Sequence, residues 1–266
     1  MLGSFDLFGR EIGYYTLMAL IGALSAGAFC YLTAKKRGLN EVKITILLLF
    51  STIGIFLGGH LVYGLTNTGL FPLFAKIQDF SQFMYVFSLI FGGQVFYGGL
   101  IGGIIAGAVY AKATHLENFA DYTDIAAAAI PLFHFFGRIG CFLGGCCYGI
   151  ESQFGFTFEH AIVEQANGVN RFPVQLLEAA FNLALFFVLW RILCKNKLKN
   201  HLLSLYLIVY PIGRFFFEFL RGDEYRGFLF GLSTSQIISV LLIIGTVTYE
   251  LYGKFFKKDS MENKTE

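Results

Sequence analysis

Seven apolar runs, most of them about twenty residues long, constrain this chain more than any other feature of its sequence. A helix of about 20 apolar residues is long enough to cross the hydrocarbon core of a bilayer. Charged residues make up only 14% of the chain, against roughly 25% in soluble domains. We therefore predict an all-α integral membrane protein, a seven-transmembrane-helix bundle with short periplasmic elaborations and a single polytopic domain over residues 1–266. The predicted helices lie near residues 14–34, 43–65, 85–111, 122–143, 174–194, 201–220 and 233–251.

The distribution of Lys and Arg orients the predicted helices. Cytoplasmic segments of membrane proteins carry an excess of these residues. With the N-terminus outside and the C-terminus in the cytoplasm, thirteen Lys and Arg fall in inner segments and five in outer segments. The same spread argues against nucleic acid as a partner, because the basic residues do not form one patch.

Two outer connections, 66–84 and 150–173, are about twenty residues long and only moderately polar. The second contains ESQFGFTFEHAIVEQANGVNRF, residues 151–172, in which polar and apolar residues partly alternate. This alternation predicts a short hairpin or an interfacial turn. No soluble domain is predicted.

The third predicted helix is rich in glycine, with pairs at 92–93, 98–99 and 102–103. Small residues about four apart let helices pack closely in a membrane. Repeated glycine pairs can also break a helix and expose backbone N–H groups to a bound anion. Such a break is tolerated only beside protein or a water-filled cavity. Both interpretations remain open for this segment.

Arg138 and Arg214 are basic residues that fall well inside predicted helices, whereas Lys43 and Arg191 lie at or near cytoplasmic helix ends. An arginine in a protein cannot lose its proton, and a charge at the bilayer centre costs about 2.5–3.5 kcal/mol. Both side chains must therefore face the protein interior or water. At a rise of about 1.5 Å per residue, both lie in the outer half of the membrane, where two guanidinium groups can share one anionic ligand.

The alternative for each arginine is an internal acidic partner. Glu218 lies one turn after Arg214 on the same helix face, so an ion pair is a strong alternative there. The neighbourhood of Arg138 offers His134, which carries no negative charge. We therefore expect Arg138 to be the more available of the two for a ligand.

Other polar side chains gather at the same outer level of the predicted membrane. Tyr210, Arg214 and Glu218 form a stripe along one face of the sixth helix. Tyrosine is also common at membrane interfaces without any binding role. The outer ends of the first, second and fifth helices add Tyr15, Tyr63, Gln175 and Glu178.

Cys141, Cys146 and Cys147 follow Arg138 in the run GRIGCFLGGCCYG, residues 137–149. Their spacing matches no common zinc pattern, and adjacent cysteines are poorly placed to bridge each other. We expect them to pack as small apolar residues in a glycine-rich turn. We expect no metal and no cofactor.

Motifs along nearly the whole chain resemble those of the bacterial prolipoprotein diacylglyceryl transferases. The run at 137–149 is similar to the family signature G-R-x-G-N-F-x-N-x-E-x-x-G. The run YPIGRFFFEFLRGDE, residues 210–224, is similar to the family's Y-x-x-x-R-F-x-x-E-F-x-R. Further resemblances are YYTLM (14–18), FLGGHLVY (56–63), FYGGLIGG (96–103), PVQLLEA (173–179) and GLSTSQIIS (231–239).

This resemblance implies a transferase of the bacterial cytoplasmic (inner) membrane, with its active site toward the outer leaflet. Such an enzyme moves the diacylglyceryl group of phosphatidylglycerol to the lipobox cysteine of a preprolipoprotein, forming a thioether and releasing glycerol phosphate. Its partners would be phosphatidylglycerol, preprolipoprotein signal peptides and other membrane lipids.

The resemblance and the pattern of polar residues together assign site roles. Catalytic roles fall to Arg138, Arg214 and Tyr97, with arginine holding the lipid phosphate. Substrate-binding roles fall to Tyr15, Tyr63, Gly98, Gly99, Gly137, Gly140, Gln175, Glu178, Tyr210 and Glu218.

The chain also departs from the family pattern. Tyr97 stands where the family motif F-H-G-G-L has histidine, and Cys141, Gly144 and Cys146 stand at the signature's Asn, Asn and Glu. A phenol with an ordinary pKa of about 10 is a poor base at neutral pH, so we expect Tyr97 to orient the lipid. Two alternative functions remain: a homologue with the same lipid site that uses a different acceptor or group, and a non-catalytic lipid- or anion-binding membrane protein.

Overall fold

The computed structural model describes residues 4–7, 9–223, 228–229 and 231–262. Arg226 and Lys264, which contribute to the predicted orientation, and Glu224 of the sixth-helix motif lie outside the described residues. The described α-helices are α1 (Tyr14–Lys36), α2 (Glu41–Thr66), α3 (Phe80–Phe91), α4 (Phe96–Ala113), α5 (Phe119–Gly144), α6 (Val174–Cys194), α7 (Leu202–Phe217) and α8 (Thr234–Glu262).

Seven of these helices, all except α3, are long and apolar enough to cross a membrane. This confirms the predicted all-α membrane fold with seven spanning helices. The bounds of α6 are those predicted from the sequence. The largest difference at a helix end is in α8, which continues to Glu262.

The third predicted helix, residues 85–111, needs correction. Two helices, α3 and α4, occupy this stretch, and the chain leaves the helical conformation between Gly92 and Val95. Glycine is among the weakest helix formers, so the pair at 92–93 is where a long apolar helix breaks most readily. The membrane-spanning part therefore begins at Phe96.

Contacts with α2 explain why the break is stable at this point. A β-carbon added to Gly93 would lie 2.4 Å from the ring of Tyr63 in α2, so the close approach requires glycine. The ring N–H of His60 in α2 donates to the carbonyl of Phe91, at 2.7 Å. In a continuous helix the carbonyl of Phe91 would accept a hydrogen bond from a later backbone N–H. At the break, His60 supplies that hydrogen bond instead.

Three short antiparallel strand pairs lie in segments outside the helices, the first of them before α1. β1 (Ser4–Leu7) pairs with β2 (Arg10–Gly13), β3 (Glu151–Thr157) with β4 (Asn170–Arg171), and β5 (Phe228–Leu229) with β6 (Leu232–Ser233). The pair of β3 and β4 confirms the hairpin predicted in the connection 150–173, and Thr157 lies opposite Asn170.

The chain forms two compact units. One contains Met1–Thr33 and Ala120–Glu266, and the other contains Ala34–Phe119. We call the first the arginine unit, because it contains Arg138 and Arg214, and the second the glycine unit. The single membrane domain predicted from the sequence stays a prediction.

In the glycine unit, α2 and α4 pack with their backbones in close contact. A β-carbon added to Gly58 would lie 2.3 Å from the carbonyl oxygen of Gly98, and one added to Gly54 would lie 2.3 Å from that of Gly102. There is room only for hydrogen at these positions. The glycine-rich segment therefore packs helices, as one interpretation predicted, and also contains the break that the other predicted.

In the arginine unit, Asp124 of α5 fixes the start of α7. Its buried carboxylate accepts hydrogen bonds from the backbone N–H groups of Asn200 (2.6 Å) and Leu202 (3.0 Å). The first N–H groups of a helix have no internal partner and attract negative charge. This contact sets the position of the helix that carries Arg214 near its other end.

Replacing Gly58 with alanine should destabilise the protein. The added methyl group would overlap the carbonyl oxygen of Gly98, and overpacking of this kind costs about 1–3 kcal/mol. Thermal unfolding in detergent should therefore show a lower melting temperature for Gly58→Ala than for the unsubstituted protein.

Gly27→Ala in α1 is the matched control for Gly58→Ala, because a β-carbon there meets no described atom within 4 Å. Alanine favours a helix over glycine by about 1 kcal/mol, so this variant should melt at the same temperature or a higher one. An unchanged melting temperature for Gly58→Ala would contradict the close packing of α2 and α4.

Candidate active site

A buried glutamate, Glu178, is shared by three arginines in the arginine unit. It lies in the first two turns of α6. Its carboxylate lies 2.7 Å from Arg138 Nη2, 3.5 Å from Arg214 Nη1 and 3.9 Å from Arg221 Nη1. One side chain of α6 thus joins α5, α7 and the segment that follows α7.

Arg214 and Arg221 each have a second acidic partner. Arg214 Nη2 lies 2.6 Å from Glu218, one turn further along, and donates to Ser235 Oγ in α8 at 3.2 Å. Arg221 donates twice to Asp223, through Nε at 2.8 Å and through Nη2. The alternative predicted for Arg214, an ion pair with Glu218, is therefore confirmed. We call these six residues the charge cluster: Arg138, Arg214, Arg221, Glu178, Glu218 and Asp223.

Most of the charge cluster is shielded from solvent. The side chains of Arg138, Arg214 and Glu178 are 9%, 8% and 2% exposed. Buried charges are costly unless they are paired and hydrogen-bonded. This corrects a premise of the sequence analysis, because Arg138 does have an acidic partner. Glu178 is remote from it in sequence, on another helix, and so was not a local candidate.

The carboxylates do not use all the donors of the two helical arginines. Arg138 Nε is buried and makes no hydrogen bond within the part of the chain that the structure describes, whereas Arg214 Nη1 faces Glu178 at 3.5 Å without a well-formed hydrogen bond. Buried polar groups are nearly always hydrogen-bonded in proteins, so the Nε of Arg138 is suited to a further acceptor. Phosphate oxygens match the guanidinium fork. The three arginines of the charge cluster are matched by three carboxylates, and what remains for a further acceptor is the buried Nε of Arg138.

The backbone next to Arg138 leaves room for a ligand. A β-carbon added to Gly137 would meet no atom within 4 Å among the described residues, and its predicted substrate-binding role stays a prediction. One turn before Arg138, the ring of His134 lies 5.0 Å from that of Tyr210. Tyr210 is buried and stacks on Tyr206. Its predicted contact with the lipid headgroup stays a prediction.

Three other predicted site residues, Tyr15, Gly140 and Gln175, lie near the start of α1, the end of α5 and the start of α6. A β-carbon on Gly140 would lie 3.2 Å from Cα of Tyr15, so Gly140 brings α5 close to the start of α1. Tyr15 is close enough to Arg138 to interact electrostatically. Gln175 is fully buried and donates to the carbonyl of Cys146 at 2.9 Å. It therefore holds the turn that follows α5.

Four predicted site residues belong to the glycine unit: Tyr63, Tyr97, Gly98 and Gly99. Tyr97 is buried, with its ring edge-on to Phe96. Gly98 faces the carbonyl oxygen of Gly58 in α2, so its missing side chain serves helix packing. Tyr63 lies at the break between α3 and α4. Their roles toward a substrate stay predictions.

Sequence reasoning missed two buried arginines, Arg221 and Arg171. Burial alone would lower the pKa of Arg221, but the hydrogen bonds with Asp223 raise that pKa above its ordinary value. Arg171 donates to the carbonyl of Gln165 and lies over the ring of Tyr148, at 4.3 Å from its centroid. The only sequence signal for Arg221 is its place at the end of the motif R-F-x-x-E-F-x-R.

Cys141, Cys146 and Cys147 lie next to the charge cluster. Their sulfur atoms are all within 4.8 Å of one another, and Arg138 interacts electrostatically with each thiol. Their spacing along the chain does not predict this convergence, because it depends on the turn after α5.

The chain is similar to one protein family over most of its length. The model of the family described as prolipoprotein diacylglyceryl transferase matches residues 3–252. The phosphatidylglycerol–prolipoprotein diacylglyceryl transferase 2 of Clostridium perfringens is 36% identical over 245 residues, which cover 91% of each chain. The phosphatidylglycerol–prolipoprotein diacylglyceryl transferase of Clostridium tetani is 35% identical, over 90% of this chain and 92% of its own. The one of Campylobacter hominis is 32% identical, over 98% and 93%.

Replacing Glu178 with glutamine should strongly destabilise the protein. Glutamine keeps the shape of the side chain but removes the negative charge that three arginines share, and breaking a buried ion pair costs about 3–5 kcal/mol. Thermal unfolding in detergent should show a clearly lower melting temperature.

The control for Glu178→Gln is Glu159→Gln, which changes an exposed carboxylate outside the charge cluster. Surface substitutions of this kind change the free energy of unfolding by no more than about 0.5 kcal/mol. If the two variants melt at the same temperature, the shared ion pair does not stabilise the fold.

Proposed function

Because this chain belongs to the prolipoprotein diacylglyceryl transferase family, we propose that it transfers the diacylglyceryl group of phosphatidylglycerol to the lipobox cysteine of preprolipoproteins. The products are a thioether-linked lipoprotein precursor and glycerol phosphate, in the first step of lipoprotein maturation. The names of the three relatives contain both substrates, phosphatidylglycerol and prolipoprotein.

One observation carries the proposal at the level of residues. Arg138 and Arg214, on different helices, meet at Glu178, and Arg138 keeps a buried N–H donor, Nε, that no described acceptor uses. A phosphodiester supplies the oxygen acceptor that such a donor needs, and guanidinium groups bind it more strongly than neutral donors do. Glu178 holds the two cations in place before the lipid arrives.

The reaction exchanges one bond at carbon for another. The thiolate of the lipobox cysteine attacks the glycerol carbon that carries the phosphate ester, so a carbon–sulfur bond forms and a carbon–oxygen bond breaks. The electron pair of the broken bond stays on the phosphate, which leaves as glycerol phosphate with one more negative charge. The proton of the thiol passes to a base or to water.

Arg138 and Arg214 act on the charge that grows in this step. Arg138 holds the phosphodiester oxygens, and Arg214 stabilises the departing phosphate or the incoming thiolate. Donors that are fixed in place before the reaction stabilise such charge without reorganisation. Arg221 contributes to the same field through Glu178.

Other predicted site residues of the arginine unit act around this centre. Gly137 gives the lipid access to the backbone beside Arg138, and headgroup contacts come from Tyr15, Tyr210, Gly140, Gln175 and Glu218. For the glycine unit we propose its own contacts with the lipid. Tyr97 orients the lipid, because an unperturbed phenol is a poor base at neutral pH, and Tyr63, Gly98 and Gly99 bind it.

The chain is a multi-pass membrane protein, and we place it in the cytoplasmic (inner) membrane with the charge cluster toward the outer leaflet. Lys195, Lys197 and Lys199 follow α6 at the end opposite Glu178. Because basic residues mark the cytoplasmic side, Glu178 and its arginines lie toward the exterior, where preprolipoprotein signal peptides emerge.

Purified protein mixed with phosphatidylglycerol and a lipobox peptide should yield a thioether-linked peptide and glycerol phosphate. Mass spectrometry of the peptide and an assay for glycerol phosphate measure the two products. Arg138→Ala should lower the rate at least about 100-fold, the loss typical for removing one fixed donor at developing charge.

Arg191→Ala is the matched control for Arg138→Ala, since Arg191 is an exposed arginine of α6. It should retain full activity, and so should Cys146→Ser, because the nucleophile belongs to the peptide. A folded Arg138→Ala protein with unchanged activity would contradict the role of this arginine. Lipid binding without any product in the unsubstituted protein would favour the two alternative functions, a different acceptor or a non-catalytic lipid-binding protein.

A further inference from the structure

Three cysteines that the proposed reaction does not use converge just beyond α5. Cys141 is in the last turn of α5, and Cys146 and Cys147 are in the turn that follows. The three sulfur atoms lie within 4.8 Å of one another, and the thiol of Cys146 donates to the carbonyl of Cys141 at 3.8 Å. Packing alone does not require three sulfur atoms to face the same point.

The backbone of the turn holds the thiols in this arrangement. Cys147 has a φ of 55° and Gly145 a φ of 69°, in the left-handed region that residues with a β-carbon rarely adopt. The N–H of Cys146 donates to the carbonyl of Cys141 at 3.1 Å. The turn therefore holds Cys147 in a backbone conformation that glycine would adopt more easily.

Neighbouring segments brace the turn from both sides. Gln175 of α6 donates to the carbonyl of Cys146 at 2.9 Å. The N–H of Gly222 donates to the carbonyl of Tyr148 at 3.0 Å. The positions of the thiols are therefore fixed by the fold rather than by one another, as in a preorganised ligand site.

The separation of the sulfur atoms suits a metal ion. Metal–sulfur bonds of about 2.3 Å at 120° put the sulfur atoms about 4 Å apart, so each pair needs to close by less than about 1 Å. A disulfide needs two of them at about 2.05 Å and would leave the third thiol unused.

The donor set selects the kind of ion. All three donors are soft sulfur atoms, and no histidine or carboxylate joins the group among the described residues. Structural zinc sites almost always have four protein ligands, whereas soft thiolates favour Cu(I). Three thiolates around a monovalent cation carry a net charge of −2, and the guanidinium groups of Arg138 and Arg221 are close enough to Cys147 to offset it.

We propose that Cys141, Cys146 and Cys147 bind one Cu(I) ion through their three sulfur atoms. Binding releases the thiol protons and needs no oxidant. The site is distinct from the phosphodiester site and does not depend on the proposed transfer reaction.

The test is a Cu(I) titration of the full-length, reduced protein in detergent under anaerobic conditions, with bicinchoninate as the competing chelator. We expect one tightly bound Cu(I) per protein and near-ultraviolet absorption from sulfur-to-copper charge transfer. Serine at position 141, 146 or 147 should weaken binding at least about 100-fold, because replacing even a residue that only orients a metal ligand costs about 10–100-fold.

Cys30→Ser and Cys194→Ser are the matched controls, because these cysteines lie in α1 and at the end of α6. Both should bind Cu(I) as the unsubstituted protein does. Copper X-ray absorption of the unsubstituted protein needs no variant and should show three sulfur neighbours at about 2.3 Å.

Three results would overturn the proposal. The first is Cu(I) binding that survives serine at all three positions. The second is a preference for Zn²⁺ over Cu(I) in direct competition. The third is a count of three alkylatable thiols, out of five cysteines, in denatured protein isolated anaerobically without reductant, which would indicate a disulfide.

Discussion

The ion pairs of Glu178 organise the arginine unit. One carboxylate on α6 neutralises part of the charge on Arg138, Arg214 and Arg221, which come from three other places in the chain. None of these charges would be stable in an apolar interior alone. The same pairing fixes the guanidinium groups relative to one another while leaving the buried Nε of Arg138 without a hydrogen bond among the described residues. Under the proposed function, stability and anion binding have a common origin, because the residues that make the fold tolerate charge also present that charge to a ligand.

The sequence predicts the helices well because the bilayer imposes a length and a polarity that can be read locally. It predicts that Arg138 and Arg214 face the interior for the same reason, and that Glu218 pairs with Arg214, because both lie on one helix face. It does not predict Glu178 as the partner of Arg138, since contacts between helices depend on packing. The break at Gly92–Val95 likewise depends on contacts with His60 and Tyr63 of α2. The close packing of Gly98 depends on Gly58 of the same helix.

The end of α5 and the turn after it match the family signature at one position and depart from it at others. Arg138 matches the arginine of the family signature, whereas Cys141 and Cys146 stand at its Asn and Glu positions. In the structure these two cysteines and Cys147 converge, with their sulfur atoms within 4.8 Å of one another. Gln175 braces this turn from the helix that carries Glu178. The thiols and the charge cluster are therefore neighbours with separate chemistry.

The central claim is that Arg138 and Arg214 bind the phosphodiester of the lipid. The most direct measurement compares the affinities of phosphatidylglycerol and of diacylglycerol with the same acyl chains, by native mass spectrometry of the detergent-purified protein. The unsubstituted protein should prefer phosphatidylglycerol strongly, and folded Arg138→Gln protein should lose most of that preference. An equal preference in the two proteins would mean that the arginine serves the fold and that the headgroup is recognised elsewhere.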